Sequence, residues 1–114
     1  MTRHDQHTYL EHIRAALERI SEYTADGRGA FLTSTLQQDA VLRNLEVIGE
    51  AVKQLAPEVR AQAPNTPWRR IAGLRDVLIH QYFGVDLEAV WLVVENEVPV
   101  LRAIVLELLQ RPRT

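Results

Sequence analysis

The sequence predicts an all-α fold: four or five helices packed up and down as a bundle. Two observations carry this expectation. Apolar residues recur at steps of three and four through most of the chain, which is the helical period. No segment alternates apolar and polar residues convincingly, as a half-buried strand would. The chain has 114 residues, 46% hydrophobic and 25% charged. That fits a single domain over residues 1–114 with material for a core, to which pairing with a second copy would add.

The first helix is expected from about His7 to Thr24, where Leu10, Ile13, Leu17 and Ile20 recur on one stripe. Asp5 or Thr8 could cap its start, and Asp26-Gly27 with Gly29 marks its end. Ala30 to Thr35 reads as a connector. Ser34 followed by Gln37 then makes a capping box for the second helix. Val41, Leu45, Ile48, Val52 and Leu55 form that helix's seam, suited to packing on another helix. Gly49 lies inside it, where glycine costs about 0.8–1 kcal/mol against alanine, so a close neighbouring helix is expected there.

Pro57 ends this helix or begins a short extra turn reaching Ala63. Pro64-Asn65-Thr66-Pro67 is a firm break, with Thr66 placed as N-cap and Pro67 as N1 of a helix running to Tyr82. Gly84 ends that helix. Asp86 caps a last long helix reaching Gln110, which Pro99 should kink or divide.

Composition removes several functions. There are no cysteines, which excludes disulfides, thiolate metal sites and cysteine nucleophiles. The formal net charge is −2, so nucleic-acid binding would need a local patch. The N-terminal residues are polar without an apolar signal-peptide core, and no run reaches the roughly 18 apolar residues of a membrane span. A soluble cytoplasmic protein without membrane contact is expected.

Chemistry concentrates between Trp68 and Asp86. With about 100° per residue, Ile71, Leu74 and Leu78 fall together as the core stripe. Arg75 and Tyr82, seven apart, share the edge of that stripe. Arg69, Gly73, Asp76 and His80 share an opposite, polar face, where Asp76 could orient the His80 ring and favour its protonated form. Arg75 and His80 stand about 140° apart on an ideal helix, which hints at a site completed by two copies.

An arginine and a histidine acting without a metal suit attack on a phosphodiester by a neighbouring 2′-hydroxyl. Histidine moves the proton near neutral pH, and arginine grips the phosphate as a fork. Arg69 and Arg70 would add phosphate positioning. From Arg60 to Tyr82 four arginines stand against one aspartate, a basic stretch in an acidic chain. No metal site and no cofactor are expected. The same residues admit a plainer reading: a solvated histidine, a surface Arg75–Asp76 pair worth under about 1 kcal/mol, and aromatics that close a helix.

Arg75-x4-His80-x-Tyr82 resembles the motif of HepT-type toxins in the HEPN superfamily. Asp76 is one of the polar residues usual after the motif arginine. The similarity extends to Asp39-Ala-Val-Leu-Arg-Asn-Leu-Glu-Val-Ile-Gly-Glu-Ala51, to Trp68-Arg-Arg-Ile-Ala72, and to Tyr82-Phe-Gly-Val-Asp86 followed by Trp91. It covers about Tyr9 to Leu101.

The resemblance implies a HEPN-like helical homodimer and a type II toxin. Its metal-independent ribonuclease site would lie at the dimer interface, lined by Arg75 and His80 of both chains. It also implies an MNT-type nucleotidyltransferase antitoxin as partner, which in part of the family silences the toxin by adding AMP to the motif tyrosine, here Tyr82. Asn44, Glu46 and Glu50 belong to the similar second-helix pattern. Asn44 is a candidate supporting residue and also a candidate hydrogen-bonded boundary residue. Two further readings stay open: a non-catalytic nucleotide-binding or adaptor subunit of a nucleotidyltransferase complex, and a plain dimerisation bundle.

Overall fold

The computed structural model describes the backbone at residues 3–80 and 84–111, and the side chains of all of these except residues 3–5 and 80. The fold is all-α, as the periodicity predicts. Helix α1 spans Arg3–Tyr23 and buries Leu10, Ile13, Ala16, Leu17 and Ile20, each 5% exposed or less. Gln6 ties its first turns to a later element, donating to the Gln54 carbonyl and accepting from the Ala56 amide. Beyond α1 the chain turns at Gly27, whose φ of 91° lies in the left-handed region that glycine enters without strain.

Residues expected to form a connector are instead helical. Helix α2, Arg28–Thr33, buries Phe31 completely. Six residues are too few to display a helical period, which is why the pattern did not reveal it. Phe31 packs on Trp91 with ring centroids 5.6 Å apart, and the Arg28–Glu88 pair holds the same two regions together. The hydrogen bond to Glu88 raises the Arg28 pKa above its ordinary value. Gln38 donates to the Phe31 and Leu32 carbonyls at the end of α2, where helix carbonyls lack the usual intrahelical donors.

Helix α3 spans Thr35–Gln54. Ser34 caps it by accepting from the Gln37 amide at 3.1 Å. Only this half of the capping box forms, because the Ser34 amide donates to the Phe31 carbonyl instead. Every seam residue predicted here is 3% exposed or less. A short helix α4, Pro57–Arg60, follows with Pro57 at its start. The Arg60 guanidinium donates twice to the Leu55 carbonyl, so this arginine serves the backbone.

The helix expected from Pro67 to Tyr82 is broken. Helix α5 covers Trp68–Ala72 and helix α6 covers Leu74–Leu78, with Gly73 between them at φ −101°, ψ 12°. Pro67 takes the cap position expected of Thr66. The Trp68 indole N–H pins α5 by donating to the Arg60 and Ala63 carbonyls. After Leu78 the chain becomes extended: β1 (Ile79–His80) pairs antiparallel with β2 (Gly84–Val85), and the Asp86 amide donates to the Leu78 carbonyl. Gly84, with φ 79°, permits the return.

Helix α7, Leu87–Asn96, begins at Asp86, whose carboxylate accepts from the Ala89 amide at 3.0 Å. Pro99 falls in the first turn of helix α8, Val98–Gln110. The proline therefore divides the last helical stretch, an outcome the sequence allowed. The core lies where α1 packs on α3 and α8, with α7 against α8 and α5–α6 against α3. No helix among the described residues is long and apolar enough to cross a membrane.

Candidate active site

Gly49 sets the geometry of the site. A Cβ built on it would stand 3.0 Å from the Ala72 carbonyl oxygen, closer than ordinary packing. Its absence lets α3 lie against the end of α5. The approach predicted from a glycine inside a helix is thus present, and it brings the outer edge of α3 opposite α6.

Across that junction the Arg75 Nε donates to Glu46 Oε2 at 2.8 Å. The second carboxylate oxygen of Glu46 accepts from Arg43 at 3.0 Å. Glu50 pairs with Lys53 one turn further along α3. Glu46, Glu50, Lys53, Arg75 and Asp76 line a depression of about 320 Å³, together with Leu45, Gly49 and Ala72. About half of the Arg75 side chain stays in water. Three carboxylates (Glu46, Glu50, Asp76) face two cations (Lys53, Arg75) in the lining. Taken alone, one chain's depression is not a strong anion attractor.

Other predicted residues are placed differently. His80 lies in β1, its backbone paired with Gly84. Because α6 ends at Leu78, Asp76 and His80 are not four apart on one helix, and the shared polar face expected of Arg69, Gly73, Asp76 and His80 is not continuous. The angle of about 140° between Arg75 and His80 assumed an unbroken helix and does not apply. Tyr82 falls outside the described residues, as does the His80 side chain.

Arg70 is paired with Glu97 at the α7–α8 junction, and Arg69 is exposed with no ion pair among the described residues. Neither lines the depression. Asn44 is 7% exposed, and its amide donates back to the Ala40 carbonyl at 2.8 Å, the boundary arrangement the sequence left open. In the sequence Glu46 stands out only as part of the similar second-helix pattern, and its pairing with Arg75 is not foreseen there: the two stand 29 positions apart, beyond any short motif. Among the described residues no three His, Asp or Glu side chains gather as a metal centre would require.

Residues 13–108 match the family described as Ribonuclease HepT-like. The chain belongs to this family. Among its relatives, a Methanocaldococcus jannaschii protein named as a gamma-glutamylcyclotransferase and, provisionally, an RNase is 44% identical over 109 residues. That match takes in 95% of this chain but spans only about half, 49%, of the relative's length. A Thermococcus cleftensis protein named a probable ribonuclease HepT is 43% identical over 95 residues, covering 82% of this chain and 86% of the relative. A Caldanaerobacter subterraneus subsp. tengcongensis protein, provisionally named an RNase, is 39% identical over 109 residues, with 92% and 95% covered. No solved structure gives a significant match. The HepT-like match includes every segment of the candidate site, from α3 through β2.

Proposed function

We propose that this protein is a ribonuclease toxin of a type II toxin–antitoxin pair, acting on RNA in the cytoplasm without a metal ion. The observation that carries the reading is Arg75: in a HepT-like chain, its guanidinium stands half in water on the rim of a polar depression. An arginine so placed can bind a phosphodiester through its outer N–H groups. His80 takes the proton from the 2′-hydroxyl. The 2′-oxygen then attacks phosphorus, the bond from phosphorus to the 5′-oxygen breaks, and a proton returns to that oxygen. The products are a 2′,3′-cyclic phosphate and a 5′-hydroxyl.

The active form in this proposal is a homodimer. A second copy would bring another Arg75 and His80 to the same cleft, so that two guanidiniums could grip one phosphate. Asp76 and Asn44 support the site, and Arg69 and Arg70 guide the RNA backbone. An MNT-type nucleotidyltransferase acts as antitoxin. The Tyr82 hydroxyl attacks the α-phosphorus of ATP, pyrophosphate leaves, and the AMP carried two positions after His80 blocks RNA.

The test is cleavage of a single-stranded RNA by the protein freed of any partner, in excess chelator. We expect products ending in 2′,3′-cyclic phosphate, with His80→Ala and Arg75→Ala each slower by at least about 100-fold. Intact RNA with the wild type, or a His80→Ala rate equal to the wild type, overturns the proposal.

A further inference from the structure

Resting on the ribonuclease reading, we infer that Glu46 is a positioning residue that sets the Arg75 guanidinium for phosphate. A guanidinium offers five N–H donors in one plane. In this site the Nε–H is taken by Glu46 Oε2 at 2.8 Å, and the two terminal nitrogens have no acceptor among the described residues. The edge left open is therefore the terminal one, and it can grip two oxygens of a phosphate at once.

Glu46 is itself fixed from the other side. Its Oε1 accepts from Arg43 at 3.0 Å, so both carboxylate oxygens are engaged and the chain Arg43–Glu46–Arg75 runs from α3 to α6. The backbone spacing that lets this chain close comes from Gly49, whose missing side chain admits Ala72. The opposite role for Glu46 would be a lock that competes with phosphate for Arg75. Geometry argues against it: Glu46 holds only the inner Nε and leaves both terminal nitrogens to the phosphate.

The experiment compares cleavage by the full chain as wild type, Glu46→Gln, Glu46→Ala, Arg75→Ala and the double variant Glu46→Ala/Arg75→Ala. Glutamine keeps a carbonyl acceptor for Nε and loses the charge. It is expected within about 3-fold of the wild-type kcat, whereas alanine, which frees the guanidinium to wander, lowers kcat by about 10- to 100-fold. The double variant should be no slower than Arg75→Ala, because the effect runs through that residue. A faster Glu46→Ala, an unchanged one, or a glutamine variant as slow as alanine overturns the assignment. Should the wild type leave RNA intact, the ribonuclease reading fails and Glu46 is judged by nuclear magnetic resonance of the Arg75 Nε–H. Slowed exchange that is lost in Glu46→Ala but kept in Glu46→Gln sustains the positioning role; exchange equal in all three removes it.

Discussion

At the scale of single residues, ion pairs and helix caps contribute different things. Arg75–Glu46 is exposed on both sides, so its worth to stability is under about 1 kcal/mol. Its importance is directional. Ser34 shows the reverse: its single hydrogen bond to the Gln37 amide satisfies a donor that α3 would otherwise leave unpaired. Ser34→Ala should therefore cost about 1 kcal/mol in urea unfolding, with RNA cleavage unchanged. A loss below about 0.3 kcal/mol would show that the cap is redundant. Arg75 was legible in the sequence because the chemistry of phosphate demands its type. Glu46 was legible only as a member of the second-helix pattern, and its pairing with Arg75 was not, because only folding brings residues 29 apart together.

At the scale of elements, the α3–α5 junction decides the site. Replacing Gly49 by alanine would gain about 0.8–1 kcal/mol of helix propensity, yet the new methyl would meet the Ala72 carbonyl at 3.0 Å. That neighbour is backbone and cannot step aside cheaply, so overpacking of about 1–3 kcal/mol wins. Gly49→Ala should be less stable by about 1 kcal/mol and slower at RNA cleavage, since Arg75 follows Ala72 by three residues. A variant more stable than the wild type would show that the junction yields. The long helices were readable from their seams, and the close approach at Gly49 from the glycine itself. The division of the 67–82 stretch was not. Gly73 looked like a gap on a polar face, whereas the chain uses it to interrupt the helix, and pairing of β1 with β2 then competes successfully with continued helix. Two-residue strands carry no detectable alternation. The reasoning from helical angles across Arg75 and His80 failed for the same reason.

At the scale of the whole molecule, α1, α3, α7 and α8 bury one continuous apolar cluster, on which the α5–β2 segment is mounted. Leu17 and Ile48 are 0% and 2% exposed; Leu17→Ala should cost about 2–5 kcal/mol in urea unfolding, and a loss under 1 kcal/mol would show that the core collapses around the gap. Fold class was legible because it rests on this periodicity, which tertiary detail does not erase. A site assembled from two copies has no such signature within one sequence. Its test is a mixture. Arg75→Ala and His80→Ala proteins are unfolded together, refolded and assayed for RNA cleavage in chelator beside the wild type. A cleft lined by both chains keeps one Arg75 and one His80 in each mixed dimer, so the mixture should regain a sizeable fraction of the wild-type rate. A mixture as inactive as either variant alone contradicts the shared site.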